Sequence, residues 1–386
     1  MFGKNIKLFK LFGFEVRIDA SWLVIAVLIT WSLASSVFPQ EYRGLSQAAY
    51  WWMGACGALG LFGSIVVHEL FHSLVARRYN LRMKGITLFI FGGVAEMEKE
   101  PESAKAEFMM AIAGPIASIL IGSIFYVLYL NIRGGGPVQV VGIVSYLSWI
   151  NWVLAAFNLI PAFPLDGGRV LRAALWQWKG NLPRATRIAS SIGSGFGIAL
   201  ILLAVYQLIS GNVVGAVWWF LIGMFLRGAS QASYQQLMVR LALEGEPIRR
   251  FMRTNPVTVP PYISLEALVE EYIYRYHYKM FPVVNESQEV LGCVTTRHVK
   301  EIPREEWRRS SVQSVMEPCT PENTVGPDAG ALDVLARMNK SGLSRLMVVE
   351  NNRLVAVISL KDLMNFLSAK LDLEGGQPKP PAEKTA

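Results

Sequence analysis

The stretch VVHELFHSLVARR, Val66–Arg78, sets two histidines and a glutamate inside an apolar segment that ends on two arginines. Ionisable side chains are costly in hydrocarbon, so in a membrane-length helix they mark a functional site. His68 and His72 stand four residues apart, which puts both imidazoles on one helical face. At that spacing two neutral imidazoles can ligate one Zn²⁺ ion. Glu69, next to the first, can act as general base toward a water and then as general acid toward a leaving amine. The competing readings are a chance match to HExxH and a pair of core histidines satisfied by hydrogen bonds. Both leave three titratable groups within five apolar-flanked residues unexplained.

The surroundings are those of a membrane protein. The 386 residues are 52% hydrophobic and 17% charged, with mean hydropathy +0.34. Six apolar runs approach or exceed the length that crosses about 30 Å of hydrocarbon: Ser21–Phe38, Ala49–Ala76, Lys105–Asn131, Pro137–Ile160, Ile188–Ile209 and Val213–Arg227. The first reads as a span and not as a cleaved signal, because no small-residue cleavage site follows it. The net charge of +8 is not a nucleic-acid signature. Lys and Arg cluster before the first run and after the second, fourth and sixth, while the opposite loops carry Arg43 and Arg133. That asymmetry places both termini in the cytoplasm, and His68 and His72 in the cytoplasmic half of the second span. Cys56, Cys293 and Cys319 show neither a metal spacing nor an even disulfide set.

Between the second and third runs, MKGITLFIFGGVAEMEKEP (Met83–Pro101) reads as a β-hairpin turning at Gly92-Gly93. It is either a surface hairpin or a strand edge able to hold an extended peptide beside the site. A hydrolytic zinc needs a third protein ligand and an open position. Asp166, in NLIPAFPLDGGRV (Asn158–Val170), is the acidic residue best placed to supply it. Pro161, Pro164 and the Gly167-Gly168 pair break the helix there, and broken backbone at membrane depth is tolerated where it lines a cavity. The alternative is an ordinary helix exit with Asp166 as a cap.

HELFH on the second span, together with NLIPAFPLDGGR on the fourth, resembles the site-2 protease family of intramembrane zinc metalloproteases. The stretch FGGVAEMEKEPESAKAEFMMAIAGP (Phe91–Pro115) is also similar to that family's hairpin and following span. The resemblance implies one Zn²⁺ per chain held by His68, His72 and Asp166, with Glu69 as catalytic acid/base. It further implies Asn158, Gly92 and Gly93 beside a transmembrane protein substrate, cleaved by regulated intramembrane proteolysis in a plasma membrane. A transporter or channel, and a non-catalytic relative that binds membrane proteins, are the competing classes.

From about Pro247 the composition turns polar and an internal repeat appears. Met252 and Met316 correspond at a separation of 64, as do Gly292 and Ala356. Each unit reads strand–helix–strand–strand–helix, and the pair resembles tandem CBS domains. That resemblance implies an adenine nucleotide (ATP, ADP or AMP) or, alternatively, a ligand-free packing module, with homodimerisation through the pair. Ser359 and Asp362 of AVISLKD match the nucleotide motif; in GCVTTRH Thr295 matches, but His298 stands where the Asp would be.

The expected architecture is therefore a polytopic α-helical membrane protein with about six transmembrane helices and a β-hairpin between the second and third, plus a cytoplasmic α/β tandem CBS module. The expected boundaries are an N-terminal cytoplasmic segment over 1–20, the membrane protease domain over 21–228, the CBS domains over 247–305 and 311–370, and a disordered tail over 374–386. The partners are the bilayer, a membrane substrate and a nucleotide, with no nucleic acid.

Overall fold

The computed structural model describes residues 6–81, 83–90, 92–97 and 101–373. The tail expected over 374–386 lies outside the described residues. The chain divides into two compact units, Met1–Tyr234 and Gln235–Ala386.

The first unit opens with a hairpin that the apolar runs did not announce: β1 (Ile6–Leu11) and β2 (Phe14–Ile18) turn at Phe12-Gly13, both with positive φ. Asp19 then caps α1 (Ala20–Ser32) by accepting from the Ser21 amide at 2.9 Å. The helix continues through a π turn, Leu33–Val37, into the short α2 (Phe38–Glu41). Ser46 caps α3 (Gln47–Arg78), whose last turn carries Arg77 and Arg78, cations suited to a helix C-terminus. Strands β3 (Met83–Phe89) and β4 (Gly92–Met97) follow. Then come α4 (Ala104–Ile132), α5 (Val138–Asn158), α6 (Asp166–Lys179), α7 (Leu182–Ile209) and α8 (Val213–Leu243).

Among the described residues six helical stretches are long and apolar enough to cross a membrane, the six read from sequence. The last continues past Arg227 to Leu243, because the polar residues that follow are still good helix formers. The short, amphipathic α6 is not one of them; Gly180, in the left-handed region, ends it. Apolar side chains such as Ile124, Val127, Leu202 and Val214 stay exposed, as expected of helices whose outer solvent is lipid.

Strands β1–β4 form one sheet in that order, with β2 parallel to β3 and the other pairs antiparallel. Its buried face, Val16, Ile18, Ile86 and Leu88, packs on Val66 and Leu70 of α3, the helix that carries the histidines. One expectation is corrected here. Phe89 pairs with Gly92 and Leu88 with Gly93, so the two glycines open β4 and do not form the turn.

The second unit is a pair of α/β repeats that exchange strands. One sheet runs β5 (Arg253–Thr254), β11 (Arg353–Ser359), β10 (Arg345–Glu350), β9 (Thr324–Val325); the other runs β6 (Met280–Val284), β7 (Val290–Thr295), β8 (Glu317–Pro318). Each repeat's leading strand thus completes the other repeat's sheet, and two apolar cores centre on Leu346 and Phe281.

Candidate metal centre

His68 and His72 lie on the buried side of α3, and Asp166 is the first residue of α6. His68 Nε2 and His72 Nε2 are 3.1 Å apart. Asp166 Oδ2 is 3.0 Å from the first and 3.1 Å from the second. Two segments 94 residues apart in sequence therefore converge on one triangle of donor atoms, able to hold a metal ion.

The far side of each ring fixes what the triangle is. His72 Nδ1 is 2.7 Å from the Met110 carbonyl, which can only accept, so Nδ1 carries the proton and Nε2 presents its lone pair inward. His68 Nδ1 meets Ser118 Oγ at 2.9 Å, and donation there gives the same tautomer. Two lone pairs and a carboxylate oxygen then face one another at close range, which a cation relieves. Atoms each about 2.0–2.1 Å from a tetrahedral zinc lie roughly 3.3 Å apart, close to this triangle. Helix α4 makes the room: a Cβ on Gly114 would lie 2.2 Å from His72 Nε2 and 2.5 Å from His68 Nε2.

Asp166 owes its place to a tight wrap of chain. A Cβ on Gly168 would lie 2.2 Å from the Phe163 nitrogen, and one on Gly167 2.3 Å from the Leu159 oxygen, so the two glycines let the loop fold back over the start of α6. The Phe163–Pro164 peptide in that loop is cis. Ser230 of α8, fully buried, donates to the Phe163 carbonyl, and a Cβ on Gly193 of α7 would lie 2.0 Å from the same oxygen.

Glu69 projects toward the sheet: a Cβ on Gly93 would sit 2.8 Å from its Cγ and 3.2 Å from its Oε1. Strand β4, one of the two edge strands of the sheet, therefore begins against the glutamate. Asn158, the last residue of α5, donates through Nδ2 to the Leu154 carbonyl at 3.0 Å and makes no contact with the triangle among the described bonds. Met110, Gly114 and Ser118 were not singled out from sequence. Their spacing of four and four, centred on a glycine in an apolar run, was the available signal.

In the second unit, Asp362 is already engaged. Its Oδ2 accepts from the Ser359 hydroxyl at 2.5 Å and its Oδ1 from Arg253 Nε at 2.8 Å. Thr295 caps the helix Thr296–Lys300 in a reciprocal box with His298, which explains the His at that position. His277 sits in a left-handed turn at the end of the helix Tyr274–Tyr276.

A membrane-embedded metallopeptidase is the class that these helices and this triangle define. Comparison with known proteins agrees. Residues 56–139 and 134–204 match peptidase family M50, and residues 248–305 and 312–369 match the CBS domain. Rip3 of Mycobacterium tuberculosis, named among the zinc metalloproteases, is 32% identical over 94% of this chain and 92% of its own. Zinc metalloprotease MJ0392 of Methanocaldococcus jannaschii is 30% identical over 94% of this chain and 96% of its own. A solved site-2 protease from Methanocaldococcus jannaschii is 30% identical, covers 60% of this chain and 95% of that one, and gives a TM-score of 0.42. The chain belongs to peptidase family M50, the site-2 proteases, and carries a C-terminal CBS tandem.

Proposed function

We propose that this chain is a zinc-dependent endopeptidase that hydrolyses a peptide bond in or near a transmembrane segment of a membrane-anchored substrate. The carrying observation is the triangle that His68 and His72, on the membrane-length α3, form with Asp166 at the start of α6, with Glu69 one residue from the first ligand. A zinc ion held by those three residues would acidify a water and polarise the scissile carbonyl. Glu69 takes the water's proton as its oxygen attacks the carbonyl carbon, then delivers that proton to the leaving nitrogen as the C–N bond breaks. Ser118 and the Met110 carbonyl hold the imidazoles in the ligating tautomer. A helical substrate hides its carbonyls in i→i−4 bonds, so it must unwind before it is cut. The edge of β4, at Gly92 and Gly93, lies where an extended segment could pair beside Glu69. Asn158 at the end of α5 is assigned to the same substrate path, where its carboxamide would exchange the Leu154 carbonyl for one of the substrate's.

Glu69→Gln is the test. It should retain zinc in the purified chain and lose cleavage of a membrane-anchored substrate by at least about 10²-fold. A variant that still cleaves rules this mechanism out.

We further infer that both termini face the cytoplasm, from the Lys/Arg distribution, that the membrane is a plasma membrane, from the family resemblance, and that the CBS pair regulates access to the site. An adenine nucleotide taking its ribose hydroxyls to Asp362, with Ser359 in support, would compete with Arg253; Thr295 is the counterpart of Ser359 in the first repeat, where His298 replaces the Asp. Calorimetry with ATP, ADP and AMP decides this: Arg253→Ala should bind more tightly than wild type, and no heat with either protein removes the nucleotide. Dimerisation through the pair is read from mass by light scattering.

A further inference from the structure

One buried ion pair in the membrane unit is used by nothing above. Arg172 Nε donates to Glu107 Oε1 at 2.6 Å, and Arg172 Nη2 bonds the same oxygen. The two side chains are 4% and 1% exposed, and the guanidinium lies 5.0 Å from the centre of the Phe163 ring. Glu107 Oε2 is buried with no hydrogen-bond partner among the described residues. So much desolvation for one shared oxygen is poor value as stabilisation, because burying two charges in a low-dielectric interior roughly cancels their attraction. The best-attested use of such a pair is to fix register between elements.

The register in question is that of the metal ligands. On α4, Glu107, Met110, Gly114 and Ser118 follow at spacings of three, four and four, so they lie along one helical face. Three of them manage the histidines: Met110 and Ser118 hold the outer ring nitrogens, and Gly114 admits the inner ones. The fourth, Glu107, grips α6 six residues beyond Asp166. That is roughly 9 Å along a helix axis at 1.5 Å per residue. Phe163, stacked under Arg172, is three residues before Asp166 and is clamped through its carbonyl by Ser230. One face of α4 therefore grips both halves of the triangle, the histidines directly and the aspartate through Arg172.

We infer that Glu107 and Arg172 are positioning residues of the metal centre: their ion pair sets the depth of α6 so that Asp166 Oδ2 meets both Nε2 atoms. The inference rests on the reading of the triangle as a zinc site, and the experiment separates the two. Zinc affinity of the detergent-purified full chain is measured by competition with a chromophoric chelator, with thermal midpoints recorded on the same samples. The variants are Glu107→Gln, Arg172→Met and Arg172→Lys. Gly54→Ala serves as control; its Cβ would lie 2.7 Å from the Thr30 carbonyl of α1, and Gly54 stands fourteen residues before His68 on α3, roughly 21 Å along the helix axis. The expected result is a zinc affinity roughly 10–100-fold weaker in Glu107→Gln and Arg172→Met, the range typical of groups that orient metal ligands. Arg172→Lys recovers part of it, and the control binds zinc within about threefold of wild type despite a lowered midpoint. Zinc binding in Glu107→Gln and Arg172→Met no weaker than in the control overturns the positioning role. Wild type that takes up no zinc overturns the zinc reading itself, and the inference with it.

Discussion

Gly114 shows how little of a metal centre need be ligand. It contributes no donor atom, yet a methyl group there would occupy the space between the two Nε2 atoms. Gly114→Ala is expected to abolish stoichiometric zinc binding while leaving the helical circular dichroism unchanged, since Ala is the better helix former. Zinc analysis of the purified variant checks this, and a full equivalent of zinc would mean that the rings can retreat. HELFH and Asp166 were legible because ionisable groups in apolar sequence are conspicuous. Met110 was not, because it acts through its carbonyl, a group that every residue has. A second residue-level expectation lies outside the spans. Lys7, by hydrogen bond, and then Arg17 hold the Glu15 carboxyl down to about 2, against an ordinary 4.5. With a depressed folded-state value, this contribution is complete above about pH 4.5 and fades as pH falls toward 2. Carboxyl NMR of Glu15 should give a midpoint near 2, whereas one near 4.5 would show that the β1–β2 pairing is not held by these charges.

The helices were legible as elements because each carries a continuous apolar run. The strands were less so. In IKLFKLFGFEVRI only the last five residues alternate cleanly, burying Phe14, Val16 and Ile18, while the first half leaves Ile6, Leu8 and Phe9 about half exposed, so the strand signal is short. Its β2 strand is fixed by β3, some 70 residues on in register (Val16 with Ile86), a pairing that no local pattern encodes. Gly92-Gly93 misled for the opposite reason: a Gly pair signals a turn locally, but here Gly93 is needed for close approach to Glu69 and Gly92 for its φ of +129°. The loop before α6 is likewise an element made by its neighbours. Ser230→Ala removes the one side-chain donor seen on the Phe163 carbonyl. Leaving that buried group unpaired should cost about 1–3 kcal/mol. Thermal unfolding of the variant should show that loss, and the midpoint increase produced by added zinc should shrink as Asp166 loosens. An unchanged zinc-induced increase would place the loop's order elsewhere, in Gly193 and the Pro-rich backbone.

Across the whole chain, the organisation into a membrane unit and a polar repeat followed from the change in composition near Pro247, and the 64-residue register located the repeats. Hidden from sequence was the exchange of strands between them, because β5 and β8 are two residues each and carry no pattern of their own. The exchange has a thermodynamic consequence. Since β5 completes the sheet of β9–β11, and β8 the sheet of β6–β7, neither repeat can open without stripping a strand from the other. The tandem should unfold as one cooperative unit. Gly292 of β7 is the place to ask, because a Cβ there would lie 2.1 Å from the Glu317 carbonyl of β8. Gly292→Val should destabilise the tandem by about 1–3 kcal/mol, the usual cost of overpacking. Hydrogen exchange followed by mass spectrometry should then show protection lost in step at β6, its immediate neighbour, and at β10 in the other sheet. If β6 alone exchanges faster, the repeats open independently, and a signal received by one need not reach the other. If both respond together, whatever binds either repeat is felt by the pair as a whole.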